Sequence, residues 1–164
     1  RLKPEEPLST TYKNYTVFKP GFYTQAPAAL QLLNILENAD VRKLSNEDYI
    51  HTFTEATKLA YADRDAYYGD PNFTKVPAAE LLSKDYAKKR FGQITPAASL
   101  EFRPGKVKQP NGTHPSREEL VRREITDELM YGDTTCINAI DKDGILFSAT
   151  PSGAALPSVI AGDT

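Results

Sequence analysis

Residues 133–152, Asp133-Thr134-Thr135-Cys136-Ile137-Asn138-Ala139-Ile140-Asp141-Lys142-Asp143-Gly144-Ile145-Leu146-Phe147-Ser148-Ala149-Thr150-Pro151-Ser152, read as a β-hairpin that opens on a threonine. Thr135 to Ile140 is the first strand, with Ile137 and Ala139 on one face and Cys136, Asn138 and Ile140 on the other. Asp141-Lys142-Asp143-Gly144 is the turn, because aspartate tolerates turn geometry and glycine reaches φ > 0. Ile145 to Thr150 is the returning strand. A type I turn closed by Gly144 in the left-handed region makes a three-residue loop and pairs Asp141 with Ile145. In that register Thr134 faces Ser152. A one-residue change in the turn would put Pro151 there instead.

Thr134 has two readings. Threonine is a favoured strand residue, and most Thr-Thr pairs are only that. If the Asp133–Thr134 bond is cut, the Thr134 hydroxyl gains a free α-amine on the same residue. Such an amine has a reference pKa of about 7.7–8.0, so near neutral pH part of it is a base able to take the hydroxyl proton. Nucleophile and base then share one amino acid.

Upstream the pattern is helical. Residues 1–25 are rich in proline and tyrosine, with a short strand at Tyr15 to Phe18. Ala26 to Asn38 carries a helical stripe of Ala29, Leu32, Leu33 and Leu36. Asn46 can cap a long helix from about Glu47 to Tyr68, its inner face including Ile50, Phe53, Leu59 and Tyr61. Gly69-Asp70-Pro71 ends it. Pro77 opens a short helix to Leu82, and Ser83 caps the next, to about Phe91. The prolines and glycines of residues 95–115 read as a mobile linker or an ordinary surface loop. Ser116-x-x-Glu119 is a capping box that opens a charged helix to about Met130. Helices followed by a hairpin make the fold class α+β.

Bulk composition sets bounds. With 40% apolar residues in 164, the chain can bury one core. A formal charge of −2 gives no reason to expect nucleic acid or an anionic membrane as partner. Lys84, Lys88, Lys89 and Arg90 cluster on a helical stretch and read as a solvated face. No apolar run approaches the roughly 18 residues that cross a bilayer, so no membrane insertion is expected in this segment. The one cysteine, Cys136, is either a reactive thiol or a buried, inert one. His51 reads as a satisfied structural histidine among helix core residues, and with His114 it offers no metal-ligand spacing, so neither metal nor cofactor is expected. Asp63-Arg64-Asp65 is an acid–base cluster or a set of helix-end salt bridges. Sequons at Asn14, Asn72 and Asn111 are compatible with export.

Several stretches carry a resemblance in order and spacing. They are Pro27 to Glu37 (PAALQLLNILE), His51 to Arg64 (HTFTEATKLAYADR), Gly69-Asp70-Pro71, Val76-Pro77, Leu81-Leu82-Ser83, and Asp133-Thr134-Thr135 followed by Asp141-Lys142-Asp143-Gly144. Together they resemble the gamma-glutamyltransferase (gamma-glutamyltranspeptidase) family of N-terminal nucleophile hydrolases. The resemblance implies part of an αββα sandwich and a precursor that cuts itself at Asp133–Thr134. Residues 1–133 would then be the C-terminal part of a large subunit and 134–164 the start of a small one. It implies Thr134 as nucleophile, with Ser152 helping to orient it, and a small-molecule γ-glutamyl or other acyl amide as substrate. The remaining segments of both subunits would be partners, supplying a substrate-binding arginine before Arg1 and oxyanion glycines after Thr164. It also implies a periplasmic or secreted location.

Two positions depart from the family pattern. Cys136 stands where many members have histidine, and Ala154 where glutamyl-specific members carry a substrate-contacting asparagine. The run Ser148 to Gly153 looks more like the acylase branch, which includes cephalosporin acylases. An inactive or unprocessed fragment is the remaining alternative.

Overall fold

The structure, a computed structural model, describes residues 4–108 and 136–150. The chain forms two compact units, Arg1–Leu120 and Val121–Thr164, and is a mixture of helix and strand.

The first unit opens with an antiparallel hairpin, β1 (Leu8–Tyr12) and β2 (Tyr15–Lys19), in which Thr10 pairs with Val17 and Tyr12 with Tyr15. Only β2 was expected. Lys13 takes φ 54° at the two-residue turn, a conformation lysine seldom adopts, so the turn carries no glycine signal. Helix α1 (Pro27–Leu36) follows, with Pro27 in its first turn. Its buried residues include Leu30, Gln31, Asn34 and Ile35, so the face is rotated from the expected Ala29–Leu32–Leu33–Leu36 stripe, of which only Leu36 is buried. The rotation puts two amides into the interior, where they bind other elements.

A 3₁₀ turn (Val41–Lys43) leads to α2 (Asn46–Tyr67). Its cap is Ser45, not Asn46: the Ser45 hydroxyl accepts from Asp48 N–H at 3.1 Å, and Glu47 and Asp48 add negative charge to the first turn. The expected inner face is also corrected. Leu59 is 1% exposed, but Ile50 is 63% exposed, and Phe53 and Tyr61 lie on the surface with it. The face that packs is Glu55, Ala56, Leu59, Ala60, Ala62, Asp63, Ala66 and Tyr67. Alanines let neighbouring backbones approach closely, and the two carboxylates find partners there.

Short α3 (Ala78–Leu81) and α4 (Lys84–Phe91) complete the unit. Ser83 caps α4 as expected, accepting from Tyr86 N–H at 3.2 Å. One apolar cluster gathers Phe22, Ala66, Tyr67, Leu81, Tyr86 and Val107; another gathers Ile35, Leu36, Ala56, Leu59, Ala60 and Ala87. Full burial of a side chain such as Leu30 or Ile35 stabilises by about 1.5–3 kcal/mol. The solvated basic face is corrected at Arg90, which is 1% exposed, and Lys84 is held by Glu37 and Asn34.

Residues 95–108 have no helix or strand, as their prolines and glycines suggest. They are nevertheless fastened down by hydrogen bonds to Glu55, Asp63 and Glu80, which is not a loose linker. The rest of that stretch, 109–115, and the capping-box helix at 116–130 lie outside the described residues. The second unit contributes a separate antiparallel hairpin, β3 (Ile137–Ile140) and β4 (Leu146–Ala149).

Candidate active site

The hairpin has the expected turn and register. Ile137 pairs with Ala149, Asn138 with Ser148, Ala139 with Phe147 and Ile140 with Leu146, so every pair is symmetric about Asp143. Gly144 takes φ +84° and donates its N–H to the Asp141 carbonyl at 3.1 Å. Asp141 earns its place by its side chain: Oδ1 accepts from both Asp143 N–H and Ile145 N–H at 2.9 Å. Asp141 N–H donates to the Ile145 carbonyl at 3.1 Å, making that a hydrogen-bonded pair. Pairs alternate along an antiparallel ladder, so Asn138/Ser148 belongs to the non-hydrogen-bonded set, in which side chains stand closest.

The two faces differ. Ile137, Ala139, Phe147 and Ala149 make one wholly apolar face. The other is apolar near the turn, at Ile140 and Leu146, and polar towards the open end, at Asn138 and Ser148. Cys136 and Thr150 extend the polar end: the Cys136 sulfur accepts from Thr150 Oγ1 at 3.6 Å and from Asn138 Nδ2 at 3.4 Å. Cys136 is exposed, which corrects the buried reading of this thiol. Asp133, Thr134 and Ser152, the residues on which the sequence reading rests, lie outside the described residues.

In the first unit the sequence reading missed a buried ionic cluster. Asp63 is fully buried, and its Oδ1 lies 3.1 Å from Arg90 Nη2. The same carboxylate accepts from Gly105 N–H at 2.7 Å, Tyr86 Oη at 2.9 Å and Gln31 Nε2 at 3.2 Å. Burial pushes its carboxyl above the ordinary value, against the pull of Arg90 and these donors. Desolvation and the Asp63 charge likewise push the Tyr86 and Tyr68 phenols up. Arg90 also donates to the Leu59 and Arg103 carbonyls, at 3.0 and 2.6 Å. Glu55, two turns earlier on the same face of α2, accepts from Arg103 Nη2 at 2.7 Å and Ser99 N–H at 3.2 Å, and pairs with Lys58.

Asp63-Arg64-Asp65 therefore divides. Asp63 faces inward, while Arg64 and Asp65 pair near the surface at 2.7 Å. His51 is satisfied as expected, though near the surface, donating Nε2–H to the Thr95 carbonyl at 2.7 Å. No group of three metal-binding side chains gathers among the described residues, and no described helix is long and apolar enough to cross a membrane. The signal for the cluster was present as acids eight residues apart on an alanine-rich helix face. Nothing local named their partners.

Residues 1–158 match the sequence pattern of the family described as gamma-glutamyltranspeptidase. The chain belongs to the gamma-glutamyltranspeptidase family. It is 42% identical over 107 residues to the glutathione hydrolase proenzyme of Escherichia coli K12, covering 62% of this chain and 18% of that protein. It is 38% identical over 97 residues to the acylase ACY 1 proenzyme of Pseudomonas sp. SE83, covering 57% of this chain and 17% of that one. The crystal structure of Helicobacter pylori gamma-glutamyltranspeptidase superimposes with a TM-score of 0.59 at 33% identity, over 66% of this chain and 33% of that one. The chain thus spans under a fifth of the length of the two proenzymes. Gamma-glutamyltranspeptidase relatives and an acylase both match, in keeping with the two branches between which Ala154 and the Ser148–Gly153 run divide the resemblance.

Proposed function

We propose that this chain is the junction segment of an autoprocessed amide hydrolase or acyltransferase whose nucleophile is Thr134. The observation that carries the reading is the register of β3 and β4. The described pairs are symmetric about Asp143, as the sequence-based register requires; if that symmetry held beyond them it would pair Thr134 with Ser152 on the same side as Cys136 and Thr150. Side chains in such pairs stand about 4.5–5.5 Å apart at Cβ, within reach of a hydroxyl–amine contact. The partner Pro151 would follow only from a shifted turn, and the turn is the unshifted one.

Processing begins when the Thr134 hydroxyl attacks the Asp133 carbonyl. The C–N bond breaks, the acyl group moves to oxygen, and the Thr134 amine takes up the proton. Water then hydrolyses the ester, leaving Asp133 as a carboxyl terminus and Thr134 as an amino terminus. In turnover that amine takes the hydroxyl proton while Oγ attacks the substrate amide. The proton passes to the departing amine, leaving an acyl ester on Thr134. Water, or the amine of an acceptor, attacks the ester and frees the enzyme.

The substrate class we propose is a γ-glutamyl amide such as glutathione, with the αββα sandwich as the surrounding fold and the periplasm or cell exterior as the location. A second reading has a specific support: Ala154 and the Ser148–Gly153 run favour an acylase that needs no α-amino group on its acyl chain. The full-length enzyme distinguishes them by its rates on γ-glutamyl anilide and on the same anilide lacking the α-amino group. Preference for the first supports the glutamyl reading; preference for the second replaces it with the acylase reading.

A further inference from the structure

Helix α2 has two opposite sides built for packing, and the first unit fills only one of them. The filled side centres on Leu59, with Glu55, Ala56, Ala60 and Asp63 around it. Ile50 precedes Leu59 by nine residues, or about two and a half turns, which puts it on the opposite side. Phe53, Thr57 and Tyr61 follow Ile50 at the i+3, i+7 and i+11 positions of that side. Tyr49 flanks the row, its ring 6.1 Å from that of Phe53. Thr57 meets its own polar need, because its hydroxyl donates to the Phe53 carbonyl at 2.7 Å. Arg64 closes the row with its guanidinium 4.3 Å from the centre of the Tyr61 ring. The outer side of a surface helix ordinarily carries charged and polar groups. Here it carries an isoleucine that is 63% exposed and three aromatic rings, Tyr49, Phe53 and Tyr61, that are 44, 40 and 45% exposed.

We infer that this row is a second packing face of α2, covered in the full-length protein by an apolar layer of the same polypeptide outside residues 1–164; this rests on the proposed reading of the chain as one segment of a longer precursor. Length and size together choose that occupant. The chain spans under a fifth of the proenzymes it matches, so a precursor of their length has ample chain to cover the row. Four side chains of roughly 200 Å² each, left about half exposed, offer on the order of 400 Å². A stable interface between separate molecules buries about 800 Å² on each partner, so the row is too small to hold a second copy by itself. Packing within one chain does not meet the translational and rotational cost of association, and a patch of this size suffices there. Helix α2 is then a middle element, with alanines and carboxylates toward its own unit and the aromatic row toward the remainder.

The test places a thiol at either end of the row in the full-length protein, as Ile50→Cys and separately as Tyr61→Cys; if one variant does not fold, the other decides. A maleimide is added, and labelling at each position is followed by peptide mass, which separates it from labelling of Cys136. The same variant unfolded in urea supplies the reference rate. The expected result is labelling slowed by about tenfold or more in the native protein, unchanged on dilution. Native labelling within about twofold of the unfolded rate overturns the inference. Protection that disappears on dilution, together with a halving of the native mass, also overturns it and makes a second copy the occupant. An intact mass equal to residues 1–164 alone removes the occupant, and the reading of a longer precursor fails with the inference. Rapid labelling of a longer product sinks the inference and leaves that reading standing.

Discussion

Asp63 on α2 and Arg90 on α4 form an ion pair at 3.1 Å with both side chains buried, tying together two helices and, through Gly105, the chain that passes over them. Desolvating two charges is costly, and the pair is tolerable because nearly every polar atom finds a partner. Arg90 Nε and Arg103 Nε are the exceptions among the described residues. Removing one member leaves the other buried and unpaired, which typically costs about 3–5 kcal/mol. Arg90→Met is therefore expected to lower unfolding free energy by about that amount, read from urea unfolding at pH 7. A loss below about 1 kcal/mol would show that solvent reaches Asp63.

Gly105 is required for space. A Cβ there would stand 2.1 Å from Tyr86 Oη and 2.9 Å from Arg90 Cδ. Overpacking of this kind costs about 1–3 kcal/mol. Gly105→Ala should destabilise by that much, and adding Tyr86→Phe, which removes the clashing oxygen, should recover part of the loss. Additive destabilisation in the double variant would mean that the alanine is harmful for another reason.

Acid stability follows from the glutamates. The Lys84 ammonium hydrogen-bonds Glu37 and holds its carboxyl below the ordinary range. Burial raises the Glu55 carboxyl, but Lys58, Ser99 N–H and Arg103 outweigh it, so it too sits low. A depressed carboxyl stabilises above its unfolded pKa of about 4.3, and the contribution is lost as pH falls through the folded value. Asp63, held high by burial, has the opposite sign: its contribution is lost as pH rises through its folded value. Glu55→Gln should lower stability at pH 7 and flatten the decline between pH 5 and 3 in a series of urea titrations. An unchanged slope would place the acid sensitivity elsewhere.

Ser152 offers a test of the hairpin register. A hydrogen bond to a charged group is worth about 1.5–3 kcal/mol, or roughly ten- to hundredfold in rate. On the proposed pairing of Ser152 with the Thr134 amine, Ser152→Ala should slow turnover by that factor and shift the pH profile of kcat/KM, while Ser152→Thr restores both. Equal rates for the alanine variant would mean that Ser152 does not stand beside Thr134.

The parts of the fold legible in the sequence were those written in local chemistry. Asp141 and Gly144 specify the β3–β4 turn without outside help, and the register follows from the turn. Ser83 caps α4 for the same reason. The β1–β2 turn was illegible because Lys13 occupies the left-handed region with no glycine to mark it. The buried face of α2 was misread because Ile50, Phe53 and Tyr61 carry the apolar signal, while the packed face is written in alanine and acids. Glu55 and Asp63 are buried only because Arg103 and Arg90, distant in sequence, come to meet them. Thr134 and Ser152 lie outside the described residues, and their roles belong to the proposed function.

The central claim is tested most directly by the intact mass of the purified full-length protein beside its Thr134→Ala variant. The account predicts two polypeptides from the parent, one ending at Asp133 and the other beginning at Thr134, and a single uncut chain from the variant. A parent that stays in one piece, or a variant that splits at the same bond, would contradict it.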